Sequence, residues 1–252
     1  MGSEAPVAFG KLMQRLHRQI DLPEDVFESF SRIAVDRSTL APGNVLYHED
    51  GPMERVHVLE TGWMIASSAL PDGSRYIHRI YQEGDLVGVE DINWAYATST
   101  VEALTACRVA SYSKRDHIRL FDGSGSLGAA LHGMAMNDQV VVNDTARANA
   151  CLKAPGQIGH LLLTIEARQR LTSDAPEADS FAFPLRQHQI ADAVGLSLVH
   201  TNKAIAKLKE QKIVHVGGGR VTISDRDALV GLTGFANRYL VDRTQWSQAL
   251  AS

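Results

Sequence analysis

A chain of 252 residues with 44% hydrophobic content is long enough for one large or two modest domains with real cores. A net charge of −4 excludes a uniformly basic nucleic-acid binder, and two cysteines, Cys107 and Cys151, exclude a disulfide framework and a four-cysteine iron–sulfur site. No apolar run reaches the ~20 residues that cross a bilayer, and the opening MGSEAPVAFGKLMQRL lacks the apolar stretch of a secretory signal, so the cytoplasm is the expected location.

Residues 9–30 predict one or two short helices, with an early proline and first-turn acids in LPEDVFESF (22–30). From Ile33 to about Ser113, short β-favouring runs are separated by turns at Pro42-Gly43, Asp50-Gly51-Pro52, Thr61-Gly62, Pro71-Asp72-Gly73 and Glu83-Gly84-Asp85. This rhythm predicts an all-β roll or barrel, and the Pro-Asp-Gly segment a hairpin. After Asp122-Gly123-Ser124-Gly125 the pattern turns helical. Leu127, Leu131, Met134, Asp138, Val141, Thr145, Ala148 and Leu152 recur by four and three, a seam that predicts a dimer helix. Lys153-Ala154-Pro155-Gly156 breaks that helix and makes a hinge. A helix with Ile158, Leu161, Leu162 and Ile165 on its core face follows, then a polar loop at 172–180.

The most informative stretch is RQHQIADAVGLSLVHTNKAIAKL (186–208). Ile190, Ala191 and Val194 make the apolar face of a first helix, Gly195 suits a turn needing positive φ, and Ser197 is an N-cap. In the second helix Ala204, Ile205 and Leu208 recur at helical spacing, which leaves His200, Thr201, Asn202, Lys203 and Lys207 to face outward. Such a pair is the layout of a helix-turn-helix whose second helix enters a major groove. Between Arg186 and Arg220, six Lys or Arg stand against two acids, a local +4 in an acidic chain. A hairpin at 213–223 with glycines 217–219 at its tip then makes a winged helix, and 225–252 reads as additional helix.

A roll, a long helix and a winged helix, in this order, resemble the CRP/FNR superfamily of transcription regulators. The resemblance spans roughly residues 25–230 and rests on YQEGDLVGVEDI (81–92), TVEALTACRVASYS (100–113) and QIADAVGLSLVHTNKAIAKLKEQKIV (189–214). It implies an α+β protein with a jelly-roll-like sensor domain over 1–125, a dimerisation helix over 126–154, a winged helix-turn-helix over 155–230 and a helical tail over 231–252. It also implies a homodimer on palindromic double-stranded DNA, with RNA polymerase and a small effector as partners. Arg186, His188, Ser197, Leu198, Val199, His200, Thr201, Asn202, Lys203, Lys207 and Arg220 are the expected DNA-binding residues. Asn202 is matched to adenine, Lys203 to guanine and Val199 to a thymine methyl, with Arg220 on the DNA backbone.

The departures matter as much. Relatives that bind cyclic AMP carry a Gly-Glu pair opening a phosphate cassette that closes on Arg-Ser. Here Gly84-Asp85 stands at the opening and Ala97-Thr98 at the close, so the bidentate partner of a cyclic phosphate is missing and cyclic AMP is not the expected effector. An effector pocket of another kind would draw on Trp63, Met64, His78, Gly84, Asp85, Glu90, Trp94, Thr98, Met134, Asp138 and Thr145. No cofactor is expected. Haem would need one of His48, His57, His78, His117 or His132, which read more simply as core or surface histidines. A different class, a cupin-like metal protein, would use His48, Glu49, His57 and His78, and would leave the helix-turn-helix idle. An adaptor of the same fold that binds only proteins is the third reading. No nucleophile–base pair, P-loop or dinucleotide fingerprint is present, so no enzymatic activity is expected.

Overall fold

A computed structural model describes residues 9–19, 30, 33–123, 125–175 and 178–240. The short helix expected within 22–30, apart from Phe30, and the last part of the tail, 241–252, lie outside the described residues. Two compact units are present. Of the described residues, the first takes in those up to 66, 80–137 and 239–240; the second takes in those of 67–79 and 138–238.

The first unit opens with helix α1 (Gly10–Gln19). Strands β1 (Asp36–Leu40), β2 (Val45–Tyr47), β3 (Arg55–Thr61), β4 (Met64–Ala69), β5 (Arg75–Tyr81), β6 (Leu86–Val87), β7 (Thr100–Ala103) and β8 (Cys107–Ser113) follow in the chain, with residues 67–69 of β4 and 75–79 of β5 counted in the second unit. They form two four-stranded sheets, ordered β1-β8-β3-β6 and β2-β7-β4-β5, so the expected roll is present. Strand β3 explains why polar alternation is weak in its sequence. Val56 and Val58 point into one apolar cluster and Leu59 into the other, so both faces are covered. The outer cluster joins Phe9 and α1 (Leu12, Met13, Leu16) to Tyr112 and Ala110. The inner one, between the sheets, is filled by Leu40, Met64, Tyr81, Val101 and Val109.

Turn chemistry follows the residues. At the β4–β5 tip, Gly73 takes φ +83, and Asp72 accepts the Ser74 backbone N–H at 2.9 Å. Between β3 and β4, Gly62 takes φ +95, and a Cβ there would stand 2.4 Å from the Ala106 carbonyl oxygen, so conformation and space both require glycine.

Two buried histidines make the roll acid-sensitive. His57 Nδ1 shares a 2.7 Å hydrogen bond with Ser111 Oγ; burial, and secondarily the Arg55 charge, lower its pKa to about 4. His117 Nδ1 shares a 3.0 Å bond with the Tyr112 hydroxyl, and burial lowers its pKa to about 4. A folded pKa below the unfolded ~6.5 means the unfolded chain takes up more protons between those values. Stability is therefore full above about pH 6.5 and falls as pH drops toward 4, by about 2 kcal/mol per histidine at pH 5. Urea midpoints at pH 7.5 and pH 5 check this. The wild type loses stability on acidification and a variant with Gln at both positions loses much less; equal slopes for the two would refute it.

Helix α2 (Lys114–Gly123) closes the roll, and the long helix α3 (Gly125–Cys151) follows. Here part of the seam read from sequence faces the chain's own interior. Leu127, Leu131 and Met134 lie in the outer cluster of the chain's own first unit, and Ala148 is buried within the second. Asp138 accepts from Arg79 at 2.7 Å and from Arg168 at 3.3 Å. Val141, Thr145 and Leu152 are half-buried. The apolar side chains left open on α3 are instead Met136, Val140 and Val142, exposed by 49%, 41% and 48%. A step of two residues turns a helix by about 200°, so Met136 stands nearly opposite Met134.

In the second unit, helix α4 (Ala154–Gln169) carries Pro155 at its start, as a break-and-restart requires. Next come β9 (Ser180–Ala182), α5 (Gln187–Val194), α6 (Leu198–Glu210), β10 (Val214–Gly217), β11 (Arg220–Ile223) and α7 (Arg226–Thr233). The wing has three strands, ordered β10-β11-β9, because the last residue of the expected polar loop, Ser180, begins a strand that pairs with Arg220–Thr222. Gly218 and Gly219 take φ +60 and +71, the two positive angles of a tight hairpin turn. The tail helix is shorter than its sequence suggested. Asp225 caps its start, and Gly234, at φ +61, ends it.

Candidate nucleic-acid interface

The helix-turn-helix is built as its residues dictate. Ile190, Ala191, Ala193 and Val194 bury the inner face of α5. At its start the Arg186 backbone N–H donates to Gln189 Oε1 at 2.8 Å. Gly195 takes φ +70, and an added Cβ would meet nothing within 4 Å, so the turn needs glycine for conformation and not for room. Ser197 then caps α6: its Oγ accepts the His200 backbone N–H at 3.3 Å and shares a 2.9 Å bond with His200 Nδ1. From behind, Asn149 Nδ2 donates to the Ala193 carbonyl at 3.2 Å, which steadies the end of α5.

Helix α6 is held by Thr201, Ala204, Ile205 and Leu208, all buried. The platform beneath it is α4, whose Gly159 lets α7 approach closely; a Cβ there would stand 2.7 Å from Leu229 Cδ1. Over its first ten residues α6 turns outward Leu198, Val199, His200, Lys203, Ala206 and Lys207. Arg186 and His188 are exposed nearby in the sequence, at the start of α5.

Three expectations change. Thr201 has 0% exposure and faces inward, because it lies on the same stripe as Ala204, Ile205 and Leu208. Asn202 is half-buried and its Oδ1 is covered with no hydrogen-bond partner, so in this conformation the amide cannot present both atoms to an adenine edge. Arg220 is exposed, yet its guanidinium already donates to the Ser180 carbonyl at 2.8 Å and to Ser180 Oγ, bracing β9 on the wing.

The residues assigned to an effector pocket fall into different environments. Met64 is fully buried in the inner cluster, and Met134 belongs to the outer one. Trp63 is buried and accepts from Cys107 Sγ on its carbonyl. Asp85 follows Gly84 in the β5–β6 turn, where it is buried, accepts from Arg15 Nη1 at 3.0 Å, and holds the Gln82 N–H at 2.9 Å. Glu90, Trp94 and Thr98 are exposed; Glu90 accepts from the Tyr81 hydroxyl and Thr98 donates to Asp91. His78 is exposed on β5, and Asp138 carries its two arginines. Ala97, at the close of the segment that resembles a phosphate cassette, is buried. Among the described residues, no three His, Cys, Asp or Glu side chains gather as a metal site would require, so His48, Glu49, His57 and His78 do not form the cupin-like ligand set. No helix among them is long and apolar enough to cross a membrane.

Two family models match the chain: the cyclic nucleotide-binding domain over residues 37–124 and the Crp-like helix-turn-helix domain over 156–232. The nitrogen fixation regulation protein FixK of Azorhizobium caulinodans is 25% identical over 196 residues, covering 76% of this chain and 77% of the relative. The transcriptional activatory protein AadR of Rhodopseudomonas palustris is 21% identical over 199 residues, covering 79% and 81%. In fold, the chain is similar to FixK2 from Bradyrhizobium japonicum, with a TM-score of 0.71 at 22% identity over 81% of this chain and 100% of that one. The chain belongs to the CRP/FNR family of transcription regulators, with a helix-turn-helix DNA-binding domain at its C-terminal side.

Proposed function

We propose that the protein acts as a homodimer that places two α6 helices in successive major grooves of an inverted-repeat operator. The observation that carries this reading is the division of α6. One side is anchored by Thr201, Ala204, Ile205 and Leu208, and the other presents Val199, His200, Lys203 and Lys207. The apolar residues left open on α3 support pairing of two copies along that helix. Lys203, in the second turn of α6, is suited to guanine O6 and N7, whereas Lys207 and Arg186 are suited to phosphates. The roll does not take cyclic AMP in this reading. Ala97 brings no charge to the phosphate position, and Asp85 is engaged by Arg15. A small ligand of other chemistry and RNA polymerase complete the scheme as partners.

The test is selection of bound sequences from a random duplex pool, followed by shift assays at fixed salt. The expected product is an inverted repeat whose half-sites are about 10 base pairs apart, centre to centre. Lys203→Ala is expected to weaken operator binding about tenfold and to relax one position of each half-site, and His200→Ala to weaken it less. Selection of no sequence, or unchanged affinity in both variants, would sink the reading.

A further inference from the structure

We infer that Val199 is a specificity-determining residue that selects a 5-methyl pyrimidine, thymine, at one position of each half-site. This rests on the DNA-binding reading above and deepens it. Few side chains on the outer face of α6 can meet a base through an apolar group. Thr201 is buried, the Asn202 amide oxygen is turned inward, and His200, engaged through Nδ1 with the cap Ser197, offers a polar ring nitrogen and no apolar surface for a methyl group. Two exposed apolar side chains remain at the start of the helix, Leu198 at 47% and Val199 at 62%.

Helical spacing separates them. Leu198 shares its stripe with Asn202 and Ile205, which turn toward the domain interior. Val199 shares its stripe with Lys203 and Ala206, both exposed, so the valine stands one turn ahead of the lysine on the side that faces outward. An isopropyl group there can neither accept from cytosine N4 nor donate to guanine. Of the groups that base pairs present in a major groove, it matches the thymine methyl. The neighbouring charges fit the occupant: Lys203 and Lys207 lie on the same outward side of the helix, with no acid before Glu210. The helix therefore reads a methyl group and a purine edge side by side. An acidic residue at position 199 would demand an N–H donor instead.

Replacing each thymine of the selected operator by deoxyuridine, one position at a time in both half-sites, removes only the methyl. The wild-type protein is expected to lose about three- to fivefold affinity per half-site at one thymine position, and about ten- to twenty-five-fold for the two together. The Val199→Ala protein is expected to bind the thymine and uracil duplexes equally. The substitution lies on an exposed surface, so an unchanged unfolding midpoint is the accompanying control. The inference is overturned if no uracil substitution weakens the wild type, or if the loss persists undiminished in Val199→Ala, while Lys203→Ala still impairs operator binding. Absence of any selected operator overturns the DNA-binding reading, and this inference with it.

Discussion

Glutamate in place of Val140 is expected to hold the protein as a monomer. Val140 is 41% exposed on α3, so the substitution leaves the fold of the single chain intact. In the proposed dimer it puts an unpaired carboxylate from each copy into an apolar seam beside Met136. Burying charges without partners costs a few kcal/mol, which raises the dimer dissociation constant by about a hundredfold. Operator affinity falls further, by about two to four orders of magnitude, because the second half-site is no longer bound intramolecularly. Sedimentation equilibrium and a shift assay read both effects, with an unchanged thermal midpoint as control. A dimer that persists with full operator affinity would exclude α3 as the pairing surface. Leu131→Glu serves as the contrast. Leu131 lies inside the chain's own cluster, so that change is expected to unfold the first unit outright.

The second large effect concerns Arg15 and Asp85. Both are 1% exposed, and Arg15 Nη1 donates to Asp85 Oδ1 at 3.0 Å. Arg15→Met takes the guanidinium away from a buried carboxylate that also accepts the Gln82 backbone N–H. Breaking a buried pair from one side costs about 3–5 kcal/mol, whereas replacing both partners with uncharged groups of similar size restores most of the loss. Denaturant midpoints of Arg15→Met, Asp85→Asn and the double variant form a cycle. A double variant as unstable as the sum of its parts would show that the two residues are not coupled. The same pair bears on the sensor. Asp85 stands at the head of the segment that resembles a phosphate cassette, and α1 supplies its counter-charge from within the chain.

Reading from residues alone succeeded where one local rule decides the outcome. Gly195 and Ser197 specify a turn and a cap through backbone conformation and one hydroxyl, and both stand as expected. The glycine-punctuated strands of the roll and the Gly218-Gly219 wing tip follow from φ requirements in the same way. It misplaced elements where neighbours compete. Strand β9 has three residues, too few for alternation to show, and exists because β11 offers it an edge. Asn202 and Thr201 looked outward in a polar run, yet helical phase places one of them half in and the other wholly in.

The chain's own amino acids therefore determined the roll, the long helix and the winged helix-turn-helix, because turns, caps and apolar periods are properties of a few adjacent residues. Tertiary structure alone decided which side of α3 stays open, that Arg15 neutralises Asp85, and which α6 side chains are exposed. Each of these is a question of what covers a side chain, and the answer comes from residues distant in sequence: Arg15 reaches Asp85 across 70 positions. An apolar stripe states that it will be buried; only the packed fold states against what.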